Sequence, residues 1–185
     1  MRVVLLGRPG AGKGTQGVRL ASEFGAQHLA TGDMLRAEVA AGTELGRLAK
    51  TFMDRGELVT DEVIIGMINS RLVNATGMVL DGFPRTLRQA AALDQALENA
   101  GAPLDRVIYF DVDRAELVKR LLNRAVEEGR SDDTPETIER RMDVYDEQTA
   151  PVLNYYRTAG KALDIDGMGT PDEVYARLVV AARGT

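Results

Sequence analysis

The chain has 185 residues, 44% of them hydrophobic and 28% charged, with a formal net charge of −5, no cysteine and one histidine, His28. That length and balance suit a single globular domain with a substantial core. They exclude disulfide staples, thiol nucleophiles, cysteine-bound zinc and multi-histidine metal sites, and they argue against general nucleic-acid binding, which needs a basic field. No apolar run approaches the roughly 18 residues of a membrane span. Met1–Gly7 passes straight into a strand and a glycine loop, so a soluble, cytoplasmic protein without a signal peptide is expected.

The elements follow in a regular order. A β-rich run, Arg2–Leu6, leads through Gly7-Arg8-Pro9-Gly10-Ala11-Gly12 into a helix over Lys13–Phe24, which Gly25 ends. A short strand, Gln27–Leu29, precedes helices over Asp33–Ala41, Glu44–Arg55 and Asp61–Asn74. The strand Met78–Asp81 and the helix Leu87–Ala100 come next, the latter stopped by Gly101. Then follow the strand Arg106–Val112, the helix Ala115–Ala125, one long helix over Pro135–Arg157, the strand Ala162–Ile165 and a last helix, Pro171–Ala182. Thr60-Asp61-Glu62 and Thr134-Pro135-Glu136 set a capping hydroxyl before acidic first-turn residues, and Pro135 suits a first helical position.

Strands that lack polar alternation and are separated by helices imply a parallel sheet covered on both faces, an α/β doubly wound fold. Two stretches interrupt the alternation. About three helices separate the second strand from the third, more than one crossover needs, so residues 30–59 are expected to form a small subdomain off the sheet. Residues 125–133, containing Glu127-Glu128-Gly129, are expected to form a short polar loop between helices.

The segment Gly7–Thr15 stands after a strand and at the start of a helix, the context a phosphate cradle requires. Glycines let successive N–H groups converge on phosphate oxygens, and the helix N-terminus adds its positive end. The expected phosphate ligands are Gly10, Ala11, Gly12, Lys13, Gly14 and Thr15, with Lys13 as a point charge and the Thr15 hydroxyl on the magnesium side. Gly14 intervenes between lysine and hydroxyl, a departure from the strict pattern. A glycine-rich turn with no ligand is the alternative.

Gly-x-Pro-Gly-x-Gly-Lys-Gly-Thr resembles the loop of nucleoside monophosphate kinases, and the rest of the chain is similar to the adenylate kinase family. The matching segments are Thr31-Gly32-Asp33-Met34-Leu35-Arg36, Asp81-Gly82-Phe83-Pro84-Arg85-Thr86 with Gln89, Gly129-Arg130-Ser131-Asp132-Asp133 and Arg140-Arg141. This resemblance implies a phosphate-loop fold of three layers around a five-stranded parallel sheet, with residues 30–59 as an AMP-binding subdomain and 125–133 as a short lid. It implies magnesium-dependent transfer of a phosphoryl group from ATP to AMP, giving two ADP, without zinc and by a monomer.

The resemblance also distributes roles. Arg36 and Arg85 take the AMP phosphate, Gln89 and Thr31 meet the adenine, Glu57, Leu58 and Val59 cover the ring, and Gly82 belongs to the same site. Asp81, at the end of an apolar strand beside the cradle, is placed to orient water on magnesium. Arg120 and Arg124 share a helix face and go to ATP, Arg130 and Arg141 close over the transferring group and reach AMP, and Gly169 meets the ATP adenine. Each arginine has a bland alternative as a solvated helix residue, Asp81 as a cap, and Gln89 as a surface glutamine. Asp132 and Asp133 either pair with the lid arginines or cap the next helix. Arg8 adds charge at the cradle mouth without an assigned role, and His28 reads as a packed side chain.

Two other readings compete. The same fold with a UMP or CMP acceptor is disfavoured by Thr31, Thr86 and Gln89. A nucleotide-dependent switch would use the cradle but leave the further arginines unexplained.

Overall fold

The computed structural model describes residues 1–72, 76–130 and 132–184. Five strands, β1 (Arg2–Leu6), β2 (Gln27–Ala30), β3 (Met78–Asp81), β4 (Arg106–Asp111) and β5 (Ala162–Asp166), form one sheet in the order β2-β3-β1-β4-β5. Every pairing is parallel; Val4 of β1 stands beside Leu80 of β3 and Val107 of β4. β1 has no polar face because it has no wet face. Val4 and Leu6 join the core on one side of the sheet, while Val3 and Leu5 join the core on the other. The strand order changes direction at β1, which opens a crevice at the C-terminal ends of β1 and its two neighbours, where ligands of such sheets sit.

Helices cover both faces: α1 (Lys13–Glu23), α2 (Thr31–Ala40), α3 (Glu44–Met53), α4 (Asp61–Leu72), α5 (Leu87–Asn99), α6 (Arg114–Glu128), α7 (Pro135–Val144), α8 (Ala150–Thr158) and α9 (Pro171–Arg183). Their starts are set by hydroxyls. Thr43, Thr86 and Thr134 each accept a backbone N–H three residues on, and Thr170 forms a reciprocal capping box with Glu173. Among the described residues no helix is long and apolar enough to cross a membrane.

Two expectations change, and a third runs past the described residues. The helix expected over Asp61–Asn74 is described to Leu72; Val73 and Asn74 lie outside the described residues, as does Ser131 of the expected lid. The helix expected to end at Ala125 runs on to Glu128, so part of the expected loop is the last turn of α6. Residues Val126, Glu127 and Glu128 continue it because nothing before Gly129, in the left-handed conformation, breaks the ladder.

The long helix over Pro135–Arg157 is instead two helices joined by a π-helical turn, Tyr145–Thr149. Pro151 supplies the reason. It has no N–H to donate and its ring crowds the carbonyl four residues back, so the α ladder cannot pass through unchanged. The wider ring accommodates it: the Ala150 N–H reaches back five residues to the Tyr145 carbonyl.

Candidate active site

A cavity of about 550 Å³ lies at the C-terminal ends of β1 and β3, and the cradle forms one of its walls. Gly10 and Gly12 have φ of 85° and 89°, a conformation other residues rarely adopt. A Cβ on Gly10 would also sit 2.9 Å from the Leu117 carbonyl of α6, so the loop is pressed onto that helix. The first turn of α1 carries no side-chain cap and no acidic residue, which leaves its N–H groups and positive end for an anion. The Lys13 ammonium donates to the Gly7 and Arg8 carbonyls at 2.8 and 3.1 Å. Burial first, and then the guanidinium groups of Arg85, Arg141 and Arg124, push its pKa down to about 8 against the attraction of Asp81.

The opposite wall is built from β2, α2 and the turn after β3. The Gly82 carbonyl accepts from both the Thr31 hydroxyl and Arg85 Nε, each at 2.8 Å. Gly82 has φ of 73°, and a Cβ there would lie 2.8 Å from both Thr31 Oγ1 and Arg85 Nη2. Glycine thus permits the bond pair that aims Arg85. Arg36 donates to Asp33 at 2.5 Å and lies 3.8 Å from Asp132. The carboxamide of Gln89, itself 1% exposed, accepts from the Arg85 N–H at 2.8 Å and donates to Asp61 at 2.7 Å.

Between the walls stand the arginines of α6, α7 and their connection. Asp133, whose side chain is fully buried, accepts two bonds from Arg124 at 2.7 and 2.9 Å and one from Arg141 at 2.6 Å. Thr134, not either aspartate, caps α7, so the ion-pair alternative holds for Asp133. Burial, countered by Asp133 and augmented by Arg124, pushes the Arg141 pKa down to about 10, which leaves it charged at neutral pH. Arg130 pairs with Glu128 at 2.6 Å. Arg120 is held by Glu116 at 2.9 Å and directs both terminal nitrogens at the Gly167 carbonyl, 3.4 Å away. Asp81 faces the cradle: a Cβ on Gly14 would be 3.4 Å from its Oδ2. Thr15 is exposed in the same cavity.

The residues expected at the site converge here with one exception. Gly10 to Thr15, Thr31, Arg36, Glu57, Leu58, Val59, Asp81, Gly82, Arg85, Gln89, Arg120, Arg124, Arg130 and Arg141 all line the cavity. Gly169 does not; it has φ of 104°, and a Cβ there would lie 2.6 Å from a carboxylate oxygen of Glu173 in α9.

Sequence reasoning missed the π-helical turn. Tyr145 and Thr149 line the cavity, and the Thr149 hydroxyl donates to the Arg85 carbonyl at 2.9 Å. Asp146 of the same turn holds Arg8 at 2.7 and 3.1 Å, with the Arg8 guanidinium 5.6 Å from the Tyr145 ring centroid. One short segment therefore ties the cradle mouth to the backbone of Arg85. Pro151 was the available signal.

The sheet, the glycine cradle at its switch point and the cation-lined cavity define an α/β phosphate-loop protein whose site can face two polyanions end to end. A family model described as Adenylate kinase matches residues 5–161. Relatives named Adenylate kinase come from Stenotrophomonas maltophilia strain R551-3, 50% identical over 187 residues with all of both chains covered, and from strain K279a, 51% identical with 99% of this chain and all of the relative covered. Another, from Xanthomonas campestris pv. campestris strain 8004, is 51% identical across 96% of this chain and 97% of its own. The chain belongs to the adenylate kinase family.

Proposed function

We propose that this protein catalyses the reversible, magnesium-dependent transfer of the γ-phosphoryl group of ATP to AMP, yielding two ADP. The observation that carries the reading is a single cavity with the cradle on one wall and Arg36, Arg85 and Gln89 on the other. A phosphate oxygen of AMP is already a nucleophile, so the protein needs no general base and no covalent intermediate; positioning and charge stabilisation suffice.

In this reading ATP lays its phosphates along Gly10, Ala11, Gly12, Lys13, Gly14 and Thr15, with Arg120 beside the base and Arg124 at the phosphates. Residues 30–59 form the AMP subdomain. Arg36 and Arg85 grip the acceptor phosphate, Thr31 and Gln89 read the base, and Glu57, Leu58 and Val59 cover it. Residues 125–133 act as a short lid, with Arg130 and Arg141 over the group in transit. The carboxylate of Asp133 keeps Arg124 and Arg141 aimed while the site is empty. Incoming phosphates then meet guanidinium groups already in place, which lowers the ordering cost of binding.

The Thr15 hydroxyl and Asp81 carboxylate are hard oxygen donors suited to magnesium, directly or through water. Among the described residues no three His, Cys, Asp or Glu side chains are grouped to hold a metal unaided, so most of the ion's ligands would come from phosphate and water. When bound, magnesium neutralises charge on the β- and γ-phosphates. The protein is expected to act as a cytoplasmic monomer.

The test is a panel of acceptors. Purified protein is incubated with ATP, magnesium and AMP, UMP, CMP, GMP or no monophosphate, and the nucleotides are separated by ion exchange. ADP should accumulate with AMP, two formed per AMP consumed. Formation of UDP or CDP in preference would contradict the acceptor assignment.

A further inference from the structure

Asp61 stands at the first residue of α4, outside residues 30–59, and no role follows for it from the phosphate chemistry. Its two carboxylate oxygens are nonetheless both engaged at the proposed acceptor-base site. One accepts from Gln89 Nε2 at 2.7 Å and the other from the Thr86 hydroxyl at 3.0 Å. On the other side of the same carboxamide, Gln89 Oε1 accepts from the Arg85 backbone N–H at 2.8 Å. Thr86 also caps α5, accepting the Gln89 N–H at 3.2 Å.

These bonds fix which end of the carboxamide is oxygen. Rotating the amide by half a turn would set its carbonyl against a carboxylate and its NH₂ against an N–H, losing both bonds at once. A carboxamide has two N–H groups and two carbonyl lone pairs. With one of each used by the protein, one donor and one acceptor remain, in an order that Asp61 and the Arg85 N–H set together. Gln89 lines the cavity, so this ordered pair is what a base meets there. A 6-amino purine offers a donor at N6 beside an acceptor at N1, whereas a 6-oxo purine offers an acceptor at O6 beside a donor at N1. The two edges are mirror images in hydrogen-bond polarity.

We infer that Asp61 is a specificity-positioning residue: by locking the direction of the Gln89 carboxamide, it makes the acceptor site select 6-amino over 6-oxo purine monophosphates. The inference rests on the proposed reading of the cavity as an AMP site, with Gln89 at the base. Asp61 touches neither nucleotide; it acts through Gln89. The side chain that reads the base is thus neutral and reversible by itself, and Asp61 is the side chain that, with the Arg85 N–H, gives it a direction.

The experiment compares AMP with IMP as acceptors. In wild-type protein AMP should be strongly preferred in kcat/KM. Asp61→Asn is nearly isosteric but presents either an oxygen or an NH₂ to Gln89, so only the Arg85 N–H still opposes a turn of the amide. The AMP-to-IMP ratio should fall about tenfold or more, as expected for loss of one well-formed bidentate base contact, while KM for ATP stays within about twofold, the margin expected for a residue with no part in the donor site. Asp61→Asn with Gln89→Glu supplies a second test. It restores an N–H to carboxylate bond with the polarity reversed and offers the base two acceptors, so the ratio should again collapse.

Equilibrium binding of AMP and of IMP without ATP gives the same comparison where turnover is low. If Asp61 merely fastens α4 to α5, both acceptors weaken together and the ratio keeps its wild-type value, which overturns the inference. A wild-type protein that phosphorylates neither monophosphate, or IMP as readily as AMP, overturns the underlying reading of the site and this inference with it.

Discussion

Around the cradle, the proposed recognition of phosphate rests on the backbone: Gly10 and Gly12 hold positive φ angles and the first turn of α1 is left without a cap or an acid. Across the cavity the cations are long side chains, and each is held by an oxygen of the protein itself. The Gly82 carbonyl aims Arg85, Asp33 holds Arg36, and Asp133 holds Arg124 and Arg141. A backbone nest loses little freedom when phosphate arrives, because the loop geometry is already spent on forming it. A guanidinium on a flexible stem must be restrained beforehand, and it brings bidentate geometry in return. The loop of the cradle is thus preorganised by chain conformation, and the arginines around it by a second layer of carbonyls and carboxylates.

Removing Arg85 breaks the comparison most severely. Arg85→Ala should lower kcat by about 10³-fold or more, by analogy with the loss of other phosphoryl-transfer arginines, while equilibrium ATP binding and the thermal melt stay near wild type. Steady-state kinetics with AMP and calorimetric titration with ATP check the two halves. Turnover within threefold of wild type would remove Arg85 from the site.

A smaller effect separates the two sides by pH. Lys13 of the cradle has its pKa lowered from 10.5 to about 8, chiefly by burial, and must carry its proton to hold phosphate. As pH rises through about 8 the free protein loses that charge, so kcat/KM for ATP should fall toward tenfold per pH unit. Bound phosphate favours the ammonium, so kcat at saturating ATP should hold to higher pH. The proposed AMP contacts do not include Lys13, so AMP affinity should change less than ATP affinity over pH 7 to about 9. Stability responds with the opposite sign. Between about pH 8 and 10.5 the unfolded chain still binds the proton that the folded one has released, so this group's contribution to stability rises with pH as activity falls. Profiles of kcat/KM for both substrates, with melts across the same range, check all three statements.

Much of this was legible in the sequence because it is written in backbone chemistry and short spacing. Strands without polar alternation announced a two-faced parallel sheet, and Val3–Leu6 packs into both cores. Gly7–Thr15 between a strand and a helix announced the cradle. The resemblance of the Thr31–Arg36 and Asp81–Gln89 segments to a known family named the residues that the fold gathers into one cavity.

What escaped depends on contacts between distant segments. No local pattern tells that Asp133 rather than Asp132 is fully buried between two arginines, or that Asp61 reaches Gln89 across 28 positions. The loop after β5 is likewise shaped by contacts outside its own sequence. Gly169 stands outside the cavity lining, in a loop held by the capping box at Thr170 and the two bonds from Arg177 to the Asp166 and Met168 carbonyls. The π-helical turn was within reach of a stricter reading, since Pro151 cannot sit four residues beyond an undisturbed helical carbonyl.

We propose that the two walls act together, the lid and the AMP subdomain closing over both nucleotides so that water cannot substitute for the acceptor. The most direct measurement is the rate of phosphate release from ATP and magnesium without AMP, set beside the rate of ADP formation with AMP, on the same preparation. The account predicts hydrolysis slower than transfer by several orders of magnitude. Hydrolysis as fast as transfer would mean that the cradle works alone, and that the arginines across the cavity serve some other end.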